Sequence, residues 1–481
     1  MKLFKDKKLE SWIMAVIWIV IWMLASYFLG SEFIMPSPAA TVKALMSLLV
    51  TGDFWMDVLW TGLRVILTIV FSFALGVVAA SLSARNDIIK DFLRIPVNFF
   101  KSIPVMAIII YVILVVKSDW VAVVVGFLMC FPIVYTNMYN GLKGLDPKQL
   151  ELGWSLGLPR PKMLRFIIIP ALNPQIKTSM SLIAAMSWKV VVASEVLAIP
   201  DHSIGYEMLN SKYYLNTADL FAYIIVLIVL SLVLEYGVDR LTDLHAGRLS
   251  NALERAVETS PKESGMDYGV CLIELKDVDK TYVNADGEST QVFKGFNASF
   301  GPGVTAVLAP SGRGKTTLAD MIEGLEQPDA GEITYGTDKV RAAYLFQEDR
   351  LLPWFNVRDN MLLASVGSNL HENPMEDLLE MAEKLEIRDA LSLMPDELSG
   401  GMAHRVALGR TLLYGGNVLI LDEPFRGLDQ DTRDRLTERL YGELKRDPSG
   451  DEEGSFLFRT VILITHDEDL AERLFDREIR L

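Results

Sequence analysis

The first half of the chain is organised as long apolar stretches divided by short polar ones. Trp12–Leu29, Thr61–Leu82, Val121–Tyr135, Ser179–Ile199 and Phe221–Tyr236 are each apolar enough for a membrane helix. A spanning helix needs about 20 such residues. Val105–Val116 is shorter and opens just after Pro104. The pattern predicts six spans, with both ends of the region on one side.

The basic residues say which side. Lys2, Lys5, Lys7 and Lys8 precede the first stretch, and Arg85, Lys90, Arg94 and Lys101 lie between the second and third. Lys143, Lys148, Arg160, Lys162, Arg165 and Lys177 lie between the fourth and fifth, and Arg240 and Arg248 follow the sixth. The alternate connections hold only Lys43, Lys117 and Lys212. Basic connections stay in the cytoplasm, so the expectation is a multi-pass membrane protein, in contact with lipid, with both ends of this region in the cytoplasm. The basic start followed by an apolar stretch resembles a signal peptide. The stretch is long and no small-residue cleavage site closes it, so it is read as a retained span.

After His245 the pattern changes. His245–Tyr268 is polar and reads as a short helix and a linker. Cys271–Val278 alternates like a strand. Val304–Leu308, Ala342–Phe346, Val418–Leu421 and Thr460–Ile464 are compact apolar runs of buried-strand length, with helical stretches between them. The expected organisation is an α-helical membrane domain over 1–245, a linker over 246–268 and an α/β domain over 269–481.

The charge divides in the same way. Residues 1–250 carry 21 Lys and Arg against 17 Asp and Glu, a net of +4; the remainder carries 25 against 44, a net of −19. The acidic half argues against nucleic acid as a partner. The two cysteines, Cys130 and Cys271, lie in unrelated apolar contexts, which makes a disulfide framework improbable.

The candidate chemistry follows the run Val304–Leu308. Ala309-Pro-Ser311-Gly312-Arg-Gly314-Lys315-Thr316-Thr317 is a glycine-rich loop opening onto a helix-like stretch. Such a loop presents backbone N–H groups to phosphates at a helix N-terminus. Lys315 is placed to reach the terminal phosphates, and Thr316 to ligate Mg²⁺. The run Val418–Leu421 ends in Asp422-Glu423. In nucleotide hydrolases the first acid of such a pair holds the metal and the second polarises the attacking water. Leu398-Ser399-Gly400-Gly401-Met402 precedes a helix-like stretch and, taken alone, is a good capped turn.

With Gly427-Leu428-Asp429 and with His466 after a strand, this ordered set resembles the ATP-binding subunit of ABC transporters across nearly all of 271–481. The resemblance implies an α/β P-loop ATPase using ATP and Mg²⁺. It implies Tyr282 as an adenine-stacking aromatic, a loop aromatic being the alternative. It implies Gln347 as a residue that touches Mg²⁺ and senses the membrane domain, Glu423 as catalytic base and His466 as the γ-phosphate switch. Ser399 and Gly401 would act on the nucleotide of an opposite copy, and Asp429 would communicate between sites. Ala309 stands where the family usually has Gly, and adds strain only if that position needs positive φ. Arg446–Phe458 reads as an enlarged surface loop.

The membrane half carries its own resemblance. Glu151-Leu-Gly-Trp-Ser-Leu-Gly157, followed by Ile169-Pro170, resembles the cytoplasmic coupling loop of ABC importer permeases, with Leu152 and Gly153 in place of two alanines. Gly153 and Gly157, four apart, suggest one close-packing face. Met35-Pro-Ser-Pro38, Ala193-Ser-Glu195 with Ser203-Ile-Gly205, and Phe346-Gln-Glu-Asp-Arg-Leu-Leu-Pro-Trp354 resemble the nitrate, sulfonate, taurine and bicarbonate importer group. That group also includes importers of thiamine-precursor pyrimidines and riboflavin.

The resemblance implies a type I importer permease fused to its ATPase. It also implies a homodimer, because each ATP site takes its loop and signature from different copies, and a separate solute-binding protein. An exporter half-transporter has the same domain order, but its spans extend further into the cytoplasm. An ATP-driven sensor without translocation would have no use for the coupling loop. Lys189 and Glu195 are ionisable groups inside the fifth apolar stretch and are candidates to line a pathway. For Lys189 the alternatives are pairing with an acid on another span, or snorkelling.

Overall fold

The computed structural model describes residues 3–260, 271–283, 287–310, 312–367, 373–444, 458–466 and 476–481; for 3–12, 15, 242–248 and 440–444 it describes the backbone only. The second part of the expected linker, and the expected loop 446–457, lie outside the described residues. Two compact units are present: Met1–Leu145 with Leu172–Leu244, and Asp146–Ala171 with His245–Leu481. The stretch between the fourth and fifth spans therefore groups with the C-terminal unit.

The first unit is helical. Gly52–Arg85, Ser118–Lys143, Asn173–Ala198 and Thr217–Leu241 are long and apolar enough to cross a membrane. The first apolar stretch forms the helix Leu3–Leu29. The short third stretch is the helix Val105–Val115, bent by 109° from the preceding helix Asp87–Ser102. The bend falls at Ile103-Pro104, where proline supplies no N–H and holds the residue before it extended. This arrangement agrees with about six spans. Ile108, Ile109, Val112, Val121, Val125, Met129 and Val190 form one apolar cluster within it.

The second unit is built on eight described strands: β1 Ile273–Val283, β2 Ser289–Phe300, β3 Gly303–Leu308, β4 Ala330–Tyr335, β5 Ala342–Leu345, β6 Val418–Asp422, β7 Thr460–Thr465 and β8 Arg477–Arg480. They form an antiparallel sheet in the order β2-β1-β4 and a sheet in the order β5-β6-β7-β3-β8. Every pairing in the second sheet is parallel. β6 and β7 are buried along their whole length, as expected of strands covered on both faces. Their register sets Asp422 opposite Ile464, and Leu308 of β3 opposite Thr465. The loops leaving β3, β6 and β7 thus meet at the carboxyl edge, where open α/β sheets bind ligands.

Three strands went unanticipated. β2 and β4 are half exposed, and β8 is an exposed edge strand, so none has a continuous apolar run. The sixth apolar stretch also runs further than its hydropathy suggests. Thr217–Glu258 is one helix, and its last turns bury Leu253 and Val257 in the core of the second unit.

Candidate functional site

The loop after β3 turns through Gly312 and Gly314, at φ of 81° and 86°, into the helix Lys315–Glu323. Ser311 lies outside the described residues. Ala309 is not among the residues with positive φ, so its Cβ adds no strain. The Lys315 ammonium donates to the Ala309 carbonyl at 2.9 Å and lies 3.4 Å from Glu423 Oε1. Thr316 Oγ1 donates to Asp422 Oδ2 at 3.0 Å. Burial pushes the Asp422 carboxyl up to about 6, and Glu423 beside it adds to the effect. The Thr316 hydroxyl and Lys315 oppose the shift.

Glu423 follows the strand in a left-handed conformation at φ 55°. Its N–H donates to the Ile464 carbonyl of β7 at 2.9 Å. A non-glycine residue held in this region is strained by about 1–3 kcal/mol, and the bond to β7 is what holds it. The turn aims the carboxylate at the end of β7, where Oε1 lies 2.7 Å from His466 Nδ1. Gln347, Glu423, Arg426, Arg433 and His466 line one cleft of about 350 Å³. Arg426 donates to the Gln347 carbonyl at 3.0 Å. Sequence reasoning found three of these five residues; Arg426 and Arg433 belong to no motif and emerge only from the fold.

Tyr282 lies near the end of β1, not in a loop. Its hydroxyl donates to Glu326 at 3.0 Å and approaches Thr317 Oγ1 at 3.5 Å, and the Lys280 ammonium sits 5.4 Å from its ring centre. This brings the ring beside the phosphate-loop helix. Ser399 caps the helix Gly400–Tyr414, accepting from the Met402 N–H at 3.3 Å. A side chain at Gly401 would meet Leu428 and the Gly427 carbonyl at 3.1 and 3.2 Å. Asp429 Oδ1 accepts from the Thr432 N–H at 3.0 Å, and that backbone bond holds its carboxyl below the usual range. The contacts of the signature are therefore with the 427–428 turn. Those of Lys315, Thr316, Asp422, Glu423 and His466 are with one another.

The donor set suits a hard cation. Among the described residues no group of three or more His, Cys, Asp or Glu converges on a point. The hydroxyl of Thr316, the carboxylate of Asp422 and the amide of Gln347 are oxygen donors. Oxygen donors of this kind are the ligands that a hard cation such as Mg²⁺ takes.

The segment Asp146–Ala171 belongs to the same unit. Asp146 caps the helix Pro147–Ser155 through the Lys148 N–H at 3.0 Å. Glu151 pairs with Arg350 at 2.8 Å, and Lys148 with Glu348 at 2.5 Å. Trp354 Nε1 donates to the Phe166 carbonyl at 3.0 Å, and Lys162 Nζ to the Val366 carbonyl at 3.0 Å. Leu152, Leu156, Leu158, Met163, Phe166 and Ile167 share one core with Leu253, Phe355 and Met361. Arg410, buried on the helix Gly400–Tyr414, holds the carbonyls of Asp349 and Arg350 at 2.9 and 3.1 Å. His404 on the same helix meets Asp349 at 2.7 Å. The motif Phe346–Trp354 was legible, but the partner of Glu151 within it was not.

Gly153 and Gly157 do not share one face. Gly153 is closed in by Met163 and Ile167, from its own segment. Gly157 ends the helix at φ 59°, with Leu158 N–H bonded to the Gly153 carbonyl and Gly157 N–H to the Trp154 carbonyl. That double closure is a Schellman turn, and the Cα it leaves bare lies where a Cβ would sit 2.9 Å from the Tyr414 hydroxyl. The tightest approach is at Gly367, where a Cβ would fall 1.7 Å from the Leu156 carbonyl oxygen.

The two pathway candidates part company in the first unit. Lys189 is exposed. Glu195 is fully buried and fully engaged: Arg64 at 2.9 Å, Thr61 at 3.0 Å and the Gly205 N–H at 3.2 Å. Arg64 also donates to the carbonyls of His202 and Asp201. A buried charge needs such complete pairing, and six helical positions turn about 240°, which keeps Lys189 off this face.

Residues 293–426 match the family of ABC transporters, and residues 72–251 match the binding-protein-dependent transport system inner membrane component. An aliphatic sulfonates import ATP-binding protein of Rhodococcus jostii is 40% identical over 196 residues, covering 40% of this chain and 74% of that one. A taurine import ATP-binding protein of Chromobacterium violaceum is 34% identical over 207 residues, covering 41% of this chain and 74% of that one. An aliphatic sulfonates import ATP-binding protein of Bacillus cereus is 33% identical over 212 residues, covering 43% and 79%. These relatives align with the ATPase half, and the permease match adds the membrane half. The chain belongs to the ABC transporters, joining in one polypeptide an inner-membrane permease component and the cassette that hydrolyses ATP.

Proposed function

We propose that two copies of this chain form an importer of a small solute bearing an anionic group, a sulfonate or taurine in the first instance, handed over by a separate solute-binding protein. The likeness of the cassette to sulfonate and taurine import proteins carries this reading. Nitrate and bicarbonate share the anionic chemistry and belong in the same test. The membrane is a prokaryotic cytoplasmic membrane, with the cassette on the side of the basic connections. The test is ATP-dependent uptake of radiolabelled taurine, alkanesulfonate, nitrate and bicarbonate into vesicles holding the full chain, with and without the purified binding protein. Uptake that ignores that protein, or export of preloaded solute, would overturn it.

In the cassette, Lys315 and the loop N–H groups orient the phosphates, and Tyr282 stacks on the base. Thr316, Asp422 and Gln347 are the residues to hold Mg²⁺, which would supply charge neutralisation at the phosphates. Glu423 accepts the proton of the attacking water, and His466, beside it at the end of β7, contacts the γ-phosphate. Ser399 and Gly401 serve the nucleotide of the opposite copy, and Asp429 links the two sites.

The helix Pro147–Ser155 passes the stroke through the Glu151–Arg350 pair. Gly157→Trp is expected to leave hydrolysis running while uptake falls at least tenfold. The left-handed backbone costs a side chain about 1–2 kcal/mol, and the Tyr414 hydroxyl leaves it no room. Normal uptake in this variant would remove the seating of Gly157 from the coupling path.

Lys189, exposed on a helix of the membrane unit, is proposed to attract the anion along the pathway, while Glu195, buried on another face of that helix, braces the fold. Lys189→Met is expected to weaken taurine uptake severalfold with basal hydrolysis intact. If the purified binding protein takes only solutes that carry no anionic group, that role for Lys189 fails.

A further inference from the structure

The helix Gly400–Tyr414, which Ser399 caps, holds two buried polar side chains for which hydrolysis has no use, His404 and Arg410. Both turn to the stretch just after Gln347. His404 Nδ1 lies 2.7 Å from Asp349 Oδ1. A carboxylate only accepts, so Nδ1 carries the proton. The other ring nitrogen is buried and has no hydrogen-bond partner among the described residues, so the ring is committed to Asp349. Arg410 donates to the Asp349 and Arg350 carbonyls at 2.9 and 3.1 Å. Those carbonyls flank a strained residue, since Arg350 has a left-handed backbone at φ 46°. The bend decides where Arg350 points. Its guanidinium lies 2.8 Å from Glu151 Oε2 on the helix Pro147–Ser155, and 3.6 Å from the centre of the Phe346 ring. Arg350 Nε and Nη1 are buried and make no hydrogen bond. A charge pair and a ring contact are less directional than hydrogen bonds, so the backbone sets the aim of this side chain.

We propose that His404 is a positioning residue. With Arg410 it fastens the 349–350 bend to the helix that Ser399 caps, so that a movement of this helix carries Arg350 with it against Glu151. The proposal rests on the importer reading in that Ser399 meets the nucleotide of the opposite copy and Pro147–Ser155 transmits the stroke. His404 and Arg410 lie six positions apart on one helix and grip the same two residues, one by side chain and one by backbone. Loss of the His404 bond frees the Asp349 side chain while Arg410 still holds the backbone. The fold and the ATP site should therefore survive, and the timing between signature and permease loop should not.

The experiment uses the full chain in vesicles with its binding protein and measures taurine imported per ATP hydrolysed. His404→Leu fills the site without the N–H and is expected to lower this ratio about fivefold. Asp349→Ala should lower it as far, and the double variant no further, as for two partners of one contact. His404→Asn sets an amide N–H near the place of Nδ1 and should restore the ratio. The KM for ATP should stay within about twofold throughout. A His404→Leu chain that keeps its ratio, or a His404→Asn chain that falls with it, overturns the proposal. So does a double variant lower than either parent, or a larger rise in KM, which would mark damage to the ATP site. If the natural chain moves no taurine, the substrate reading fails separately. The contact is then read without transport, from crosslinking of Lys148→Cys to Glu348→Cys, a pair of side chains that meet at 2.5 Å beside Glu151 and Arg350. Cys130 and Cys271 are buried and should not compete. Adding ATP should change the crosslinking rate at least about threefold in the chain with His404, and leave it nearly unchanged with His404→Leu. A rate that ignores ATP in the presence of His404, or equal responses in both chains, overturns the proposal.

Discussion

Glu423→Gln is expected to abolish ATP turnover while ATP still binds. The substitution keeps the size of the side chain and the left-handed turn that follows β6. It also keeps a carbonyl oxygen to face His466 and Lys315, which now lie 2.7 and 3.4 Å from Oε1. What it removes is the capacity to take a proton from water. General-base catalysis is worth about 10²–10⁴ in rate, and the loss should fall on kcat. Binding should persist because Lys315, Thr316 and the loop are untouched, so nucleotide should accumulate in a closed dimer. Phosphate release and retention of labelled ATP, measured on the same sample, check both halves. Near-normal release would mean that another group activates the water and that Glu423 only braces His466.

The second large effect is complementation between two dead chains. Lys315→Ala removes the phosphate contact, and Ser399→Arg fills the signature with a long side chain while removing a helix cap worth about 1 kcal/mol. Each variant alone should fall to background. Co-expressed, they should regain hydrolysis, since a mixed dimer holds one site with both natural residues. One of two equivalent sites in a twofold dimer predicts about half the natural rate for the purified mixed species. The contacts within one chain favour this outcome. Ser399 is occupied by Met402, and Gly401 faces the 427–428 turn, while Lys315 is engaged with Ala309 and Glu423. Two tagged chains and a tandem purification isolate the mixed species. A fully active monomer, or a mixture as dead as its parents, would sink the shared site.

The parts of the fold that sequence made legible are those where burial is uniform. β3, β5, β6 and β7 announced themselves because strands covered on both faces must be apolar throughout. The phosphate loop and the Asp422-Glu423 pair could be found because each hangs on the end of such a strand. β2, β4 and β8 escaped for the opposite reason: each owes its place to backbone pairing with a neighbour, which composition does not display. The strained turn at Glu423 had no sequence signal, since φ is fixed there by the bond to Ile464. The separation of Gly153 from Gly157 could not be foreseen, because a spacing of four implies one face only while the helix lasts, and this one stops at Ser155. Arg410 and His404 were equally silent, as was the pairing of Arg350 with Glu151. Their partners are distant in sequence and were brought near by the sheet.

The fit at Gly367 bears on how freely such a chain can exchange its parts. A Cβ there would sit 1.7 Å from the Leu156 carbonyl oxygen, and one at Gly157 would sit 2.9 Å from the Tyr414 hydroxyl. The permease loop is thus cut to its own cassette by two bare Cα atoms, one on each partner. A hybrid that grafts a foreign cassette onto this membrane half inherits a lock whose key was filed elsewhere. Whether the graft works should turn less on overall identity than on whether the donor brings a glycine to position 367.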